Sequence, residues 1–436
     1  MFNKNTIAEV ILDFQKDDLP QASPRNLKVD LELSLKRAIT ILGPRRSGKT
    51  YYFFYLIKNL LEQKGITKER ILYLNFEDQR LAGLTSKDLT GVLEVFYELF
   101  PQNKTKKIWL FFDEIQNIVH WEKFIRTVLD KEKAYVFLSG SSSKLLSREI
   151  ATALRGRTIS YLVLPFSFQE FLTIKNIHYQ NYLASSEKAK LMSAFSEYFL
   201  WGGYPEAVIY PQAKEKIINE IIEVTIYQDL IERHKIRNTK AVKIMFNHLL
   251  KAKEFSVHKF FNFLKTLNFK ISKTTLYNYL EYFNDAFVFF PLRRFDYSMK
   301  NLEQSLPKIY AVDNALITKI IGEEKSKLLE NSVLLELLRR GYELNRELFY
   351  YSWPNGGEVD FLIKKGRKIV GLIQVCLDVN DFATKEREIK SLLKASEELR
   401  CDNLLIITGD YEAKEKIKNQ TISYIPLWKW LLQEKI

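Results

Sequence analysis

The chain has 436 residues, 46% of them hydrophobic and 27% charged, which is enough apolar mass for more than one packed core. Its two cysteines, Cys376 and Cys401, exclude a disulfide framework, and no apolar run approaches membrane-spanning length, so a soluble, cytoplasmic protein without a membrane partner is expected. Lys and Arg exceed Asp and Glu by 13, and the excess is uneven: +9 over residues 231–320, against +4 for 1–230 and 0 for 321–436. A basic surplus so confined points to a nucleic-acid surface; the plainer alternative is a Lys-rich solvated face of a thermostable protein. The histidines (His120, His178, His234, His248, His258) are scattered without metal-ligand spacing.

Residues 1–25 read as a short helix and a linker, Leu19–Pro24, and a strand pair is expected at about 27–33 and 37–42. The second strand runs into Gly43-Pro44-Arg45-Arg46-Ser47-Gly48-Lys49-Thr50, which has the form G-x-x-x-x-G-K-[ST]. Glycines at the two ends let the backbone bend and bring its N–H groups against a phosphate chain, at the positive end of the helix that follows. Lys49 then reaches the β- and γ-phosphates and the Thr50 hydroxyl ligates Mg²⁺, so ATP with Mg²⁺ is the expected ligand pair. Tyr51–Leu61 reads as a buried helix ending near Gly65.

Arg70–Phe76, Lys107–Phe112 and Ala134–Ser139 are apolar runs suited to strands buried on both faces, with helices at about 86–99 and 121–130 between them. This alternation implies a parallel sheet, which presents ligands at its carboxyl edge. Asp113-Glu114 ends one such strand: Asp113 is expected on Mg²⁺ and Glu114 on the attacking water. Ser139 ends the next strand and either senses the γ-phosphate, or polarises the water, or belongs to a helix-start cluster, Ser139 to Ser143. Arg155 and Arg157 are candidates to stabilise charge at a neighbouring subunit's nucleotide, a role that requires a homo-oligomer.

From about 165 to 320 the pattern becomes helical, with long stretches at 186–200 and 214–233. In the basic region, Ser256-Val257-His258-Lys259-Phe260 opens one helix and Ser272-Lys273-Thr274-Thr275 another. A β-ribbon, Ala286–Phe295, follows and carries Arg293-Arg294. Helix, turn, Ser-capped helix and ribbon outline a winged helix-turn-helix, for which double-stranded DNA, a protein partner or a scaffold role all stay open. The last 115 residues return to α/β: a helix at 324–340, strands at 349–353, 358–363 and 369–376, a helix at 382–396, and a buried strand at 403–408.

Taken together, Gly43–Thr50, Leu74-Asn75-Phe76-Glu77-Asp78, Phe112-Asp113-Glu114-Ile115-Gln116, Ser139-Gly140-Ser141-Ser142-Ser143, Leu154-Arg155-Gly156-Arg157 and Leu164–Phe171 resemble the prokaryotic AAA-type ATPases, especially the archaeal ATPase group. Gly202-Gly203-Tyr204-Pro205-Glu206 and the C-terminal region resemble the domain of unknown function that usually follows in that family. The resemblance implies an α/β multidomain chain. A parallel-sheet P-loop core (26–164) would follow residues 1–25. A helical lid (165–235), a winged-helix-like basic domain (236–320) and a restriction-endonuclease-like domain (321–436) would come next.

Endonuclease sites of that type use an acidic residue on a helix, an Asp on a strand, and Glu-x-Lys on the next strand. Here Glu330 and Asp360 fill the first two places, but the third reads Gln374-Val375-Cys376. Gln brings no charge and Cys cannot replace an ammonium, so this site is expected to be inactive as a nuclease. The expected function is an ATP-hydrolysing switch or motor linked to DNA. The alternatives are a slow-turnover signalling or scaffold NTPase that docks protein partners, and an ATP-dependent DNA-processing nuclease.

Overall fold

The computed structural model describes residues 3–142, 154, 156–180, 184–354, 356–417 and 419–433. They divide into two compact units, one of residues 1–164 with 285–287, the other of residues 165–284 with 288–436.

The first unit is built on strands β1 (Ala38–Leu42), β2 (Ile71–Asn75), β3 (Ile108–Asp113), β4 (Ala134–Gly140) and β5 (Thr158–Leu162), joined in the order β2-β3-β4-β1-β5. Every pairing is parallel, so all five carboxyl ends lie on one edge. Helices α1 (Lys4–Lys16), α2 (Lys49–Lys64), α3 (Asp88–Leu99) and α4 (Trp121–Lys131) accompany the sheet. Helix α2 buries Tyr52, Phe53, Leu56, Ile57 and Leu60 against Ile39, Ile41, Phe111 and Phe137, and Gly65, at φ 63°, ends it in the left-handed conformation that glycine adopts without penalty.

One expectation fails here, and one strand goes beyond those expected. Residues 27–33 form no strand. Leu27, Val29, Leu31 and Leu33 do alternate inward, but onto the side-chain core rather than onto a β-ladder. Their backbone is held by side chains instead: Tyr52 Oη donates to the Leu27 carbonyl and Trp109 Nε1 to that of Leu31. Strand β5 was not foreseen, because Thr158–Leu162 is a half-covered edge strand without the apolar run of its neighbours.

The second unit begins with α5 (Phe168–Ile174), α6 (Ser185–Trp201), α7 (Pro205–Ile209) and α8 (Lys214–Val224). The single helix expected over 214–233 changes to π geometry at Thr225–Glu232. Next come α9 (Thr239–Lys251), α10 (Val257–Thr266) and α11 (Lys273–Asp285), then a two-stranded antiparallel ribbon of β6 (Phe289–Leu292) and β7 (Lys308–Ala311). The ribbon differs from the expected one. β6 stops before Arg293, and its partner lies beyond α12 (Met299–Gln304). Glu254 bridges to Lys308 on β7's other side.

Helices α13 (Asn314–Ile321) and α14 (Lys325–Arg339) lead to a mixed six-stranded sheet. Its strands are β8 (Leu348–Ser352), β9 (Glu358–Lys365), β10 (Lys368–Cys376), β11 (Leu404–Thr408), β12 (Ala413–Ile417) and β13 (Gln420–Pro426), in the order β12-β13-β11-β10-β9-β8. Helix α15 (Phe382–Leu399) packs on this sheet through Leu392, Leu393, Ala395 and Leu399, and α16 (Leu427–Leu432) follows β13.

The paired glycines at 202–203 now have a physical reason. A Cβ on Gly202 would lie 1.6 Å from an Asp313 carboxylate oxygen, and one on Gly203 would lie 2.1 Å from the Phe166 carbonyl. Asp313 is buried and accepts from the N–H groups of Gly203 and Ala315. Arg339 donates to the carbonyls of Pro165 and Phe166. Among the described residues, no helix is long and apolar enough to cross a membrane.

Candidate nucleotide-binding site

Strand β1 delivers Gly43–Thr50 to the carboxyl edge of the first unit's sheet, and α2 starts at Lys49. Gly48 has φ 92°, a left-handed value that opens the helix without a side-chain cap and leaves its first N–H groups for an anion. Gly43 is constrained differently: a Cβ there would sit 2.1 Å from the Val163 carbonyl. Lys49 is 4% exposed; its Nζ donates to the Pro44 carbonyl at 3.0 Å and lies 3.4 Å from Glu114 Oε1.

The parallel register sets the acidic residues beside the loop. Asp113 ends β3, and Ser139, in β4, donates its hydroxyl to Asp113 Oδ1 and accepts the Glu114 N–H at 2.9 Å. Tyr73 on β2 donates to Asp113 Oδ2 at 3.1 Å, and the Thr50 hydroxyl reaches the same carboxylate. Burial, followed by the neighbouring Glu114, pushes the Asp113 carboxyl above its ordinary range, against the opposing hydroxyls and Lys49. Burial also works to raise Glu114, but Lys49, Gln116 and Arg45 outweigh it and hold this carboxyl below its ordinary range. Glu114 sits at φ 52°, a left-handed value unusual for a residue other than glycine, and Gln116 Nε2 donates to its Oε2.

A buried ammonium, a hydroxyl and a carboxylate thus converge at a helix start. The Thr50 hydroxyl and Asp113 carboxylate are hard oxygen donors of the kind Mg²⁺ takes, and the loop amides with Lys49 suit a phosphate chain.

A model of the AAA domain matches residues 35–172, and two domains of unknown function match residues 192–327 (DUF8612) and 325–430 (DUF4143). An uncharacterized protein of Methanocaldococcus jannaschii, MJ1544, is 40% identical over 435 residues, covering 97% of this chain and 94% of its own. The chain belongs to the AAA P-loop ATPase family. An uncharacterized protein of Haemophilus influenzae is 30% identical, covering 90% of this chain and 94% of its own. Among solved structures, the Walker-type ATPase PABY2304 of Pyrococcus abyssi is similar, with 13% identity and a TM-score of 0.44 over 73% of this chain and 96% of that one.

Around the AAA site, several contributors escaped the sequence reading. Arg25, from the N-terminal linker, donates to the carbonyls of Ser47 and Leu164 and so ties the phosphate loop to the end of the AAA unit. Glu77, just beyond β2, lies 3.5 Å from Arg45 of the loop, and burial followed by Glu114 raises its carboxyl. Its place in Asn75-Phe76-Glu77-Asp78, directly after a strand, was the available signal. Tyr73 carried none and Gln116 none beyond its place in Phe112-Asp113-Glu114-Ile115-Gln116, since their partners are set by register and by the turn at Glu114. Of the expected arginines, Arg157 pairs with Asp130 on α4, within its own chain. Arg155 and Ser143 lie outside the described residues.

In the second unit, Glu330 on α14 and Asp360 on β9 do meet, and both bond Lys308 of β7. Gln374 does not reach them as a charged group: its Oε1 accepts the Asp360 N–H at 3.3 Å and its Nε2 donates to Glu388 on α15. Cys376 is buried, its Sγ directed to the Asp378 carbonyl, and burial raises its thiol to about 11, so it supplies neither an ammonium nor a thiolate. Among the described residues, no group of three or more His, Cys, Asp or Glu is disposed to hold a metal ion.

Proposed function

We propose that this chain binds and hydrolyses Mg-ATP at Gly43–Thr50 and uses the cycle as a conformational switch linked to DNA. The observation that carries the reading is Ser139: one hydroxyl joins Asp113 to the Glu114 backbone, directly opposite Lys49. Lys49 gives up Glu114 for the phosphates, and Glu114, once released, takes a proton from the attacking water. Thr50 and Asp113 would hold Mg²⁺, and the chemistry such an ion would supply is neutralisation of charge on the phosphate oxygens. Ser139 fixes the relative position of Asp113 and Glu114, and Gln116 keeps the Glu114 carboxylate from swinging free. The link to the rest of the chain rests on Arg25, which grips Ser47 and Leu164 together, so that a filled loop pulls on the residues that lead onward.

The DNA link rests on the basic region. Glu254, α10, α11 and the β6–β7 ribbon have the succession of a winged helix-turn-helix, and Lys273, Thr274, Tyr277 and Asn278 on α11 are exposed, as are Lys259, Lys265 and Lys270. The test is ATP turnover measured with and without double-stranded DNA, together with nucleotide binding. Stimulation by DNA that weakens as salt rises is expected. Turnover indifferent to DNA ends the DNA link, and failure to bind ATP with Mg²⁺ ends the reading as a whole. Slow basal turnover as a scaffold is the second reading, favoured by the way Lys49 and Gln116 both occupy the Glu114 carboxylate.

A further inference from the structure

Lys308 is a basic residue almost wholly withdrawn from water, its side chain 2% exposed. Its Nζ lies 2.9 Å from Glu330 Oε1, 2.9 Å from Asp360 Oδ1 and 3.2 Å from Glu358 Oε1. An ammonium has three N–H donors and nothing else to offer, and here three carboxylates take them. The carboxylates are themselves fixed. Asp360 Oδ2 accepts the Val375 N–H at 3.0 Å, the Tyr310 hydroxyl donates to Glu330 at 2.6 Å, and Lys253 meets Glu358 at 2.6 Å from the outer side. The carboxylates come from α14 and β9, while the lysine comes from β7, in the segment before the C-terminal domain.

Acidic groups gathered this closely repel one another unless a cation lies among them, and a divalent ion is the usual solution. In this chain the ribbon supplies the cation covalently. We propose that Lys308 is a built-in counter-ion occupying the point where a divalent metal would be held. The carboxylate cluster is therefore a charge-locked joint between β7 and the C-terminal sheet, and removal of the ammonium converts it into a divalent-cation site. The neutral Gln374 accords with this, because the joint needs no further charge on β10. The inference is independent of the nucleotide reading, since all of these residues belong to the second unit.

The experiment titrates the full-length chain with Mn²⁺, following free Mn²⁺ by electron paramagnetic resonance, for wild type, Lys308→Met, and Lys308→Met combined with Asp360→Asn. Lys308→Met is expected to take up one Mn²⁺ per chain more than wild type and to melt higher when Mn²⁺ is present. The double variant should lose both effects. Where Lys308→Met is not recovered folded, Lys308→Met with Glu358→Gln replaces it, keeping Glu330 and Asp360 as ligands, and the same extra Mn²⁺ is expected. No extra Mn²⁺ in the folded variant overturns the proposal. So does Mn²⁺ uptake or Mn²⁺-dependent DNA cutting by wild type that Asp360→Asn abolishes, because the cluster would then already hold a metal beside Lys308.

Discussion

Each unit of this chain buries a lysine among carboxylates, and the two lysines are used in opposite ways. Lys49 touches one carbonyl at 3.0 Å and one carboxylate at 3.4 Å, at the mouth of a helix whose first amides face the same space. Lys308 has a carboxylate for every proton it can donate. A lysine whose contacts are few and long exchanges them readily for an incoming anion, whereas one fully engaged by acids is part of the frame. Burial and charge alone do not separate a working lysine from a structural one; the number and closeness of its acceptors do.

Four measurements would break or sharpen this contrast. The largest effect is expected for Lys308→Met, which leaves buried acids uncompensated and should cost about 3–5 kcal/mol in denaturant unfolding of the second unit. ATP affinity should be unchanged, and a variant as stable as wild type would erase the distinction. Lys49→Ala should do the reverse, lowering turnover by roughly 10²–10³-fold through lost electrostatic stabilisation while leaving the denaturation midpoint near wild type.

The third measurement concerns pH. Burial raises the Asp313 carboxyl from 3.8 to about 6 against its two backbone donors. The folded state then holds a proton that the unfolded state has released. The stability from this group is complete below about pH 3.8 and is lost as pH climbs to about 6, a difference of about 3 kcal/mol. Asp313→Asn should flatten that slope in stability measured from pH 4 to 7; an unchanged slope would show that Asp313 is ionised in the fold. The smallest effect is expected for Glu114→Gln, with ATP binding retained and turnover reduced by roughly 10²-fold, the low end for lost general-base catalysis. Normal turnover would move the base elsewhere, with Glu77 the next carboxylate to examine.

The AAA core was legible because its signals are local. A buried strand, a glycine-bounded loop and an acidic strand end each announce themselves within a dozen residues, and parallel pairing brings them together. In the C-terminal sheet β8 to β11 were legible, since those strands and helices keep their periods, but β12 and β13, beyond the strand expected to close the domain, were not. What escaped depends on distant partners. Residues 27–33 alternate like a strand, yet their neighbours are tyrosine and tryptophan side chains rather than another backbone. The second strand of the ribbon is separated from the first by a helix, so no hairpin signal exists to find. Lys308 could not be assigned to the C-terminal acids from spacing, because the ribbon that carries it closes only in three dimensions. Arg25 joins the phosphate loop from a linker in the same way.

The glycine pair at 202–203 has one more consequence. It exists to admit an acid and a carbonyl, not to bend around a ligand. Any side chain larger than hydrogen at either position must evict Asp313 or displace Phe166. The dipeptide therefore works as a gauge of fit between distant stretches of the second unit. A relative that lost the acid at the position of Asp313 would still keep the first glycine, because its φ of 67° strains any side chain whatever the space around it.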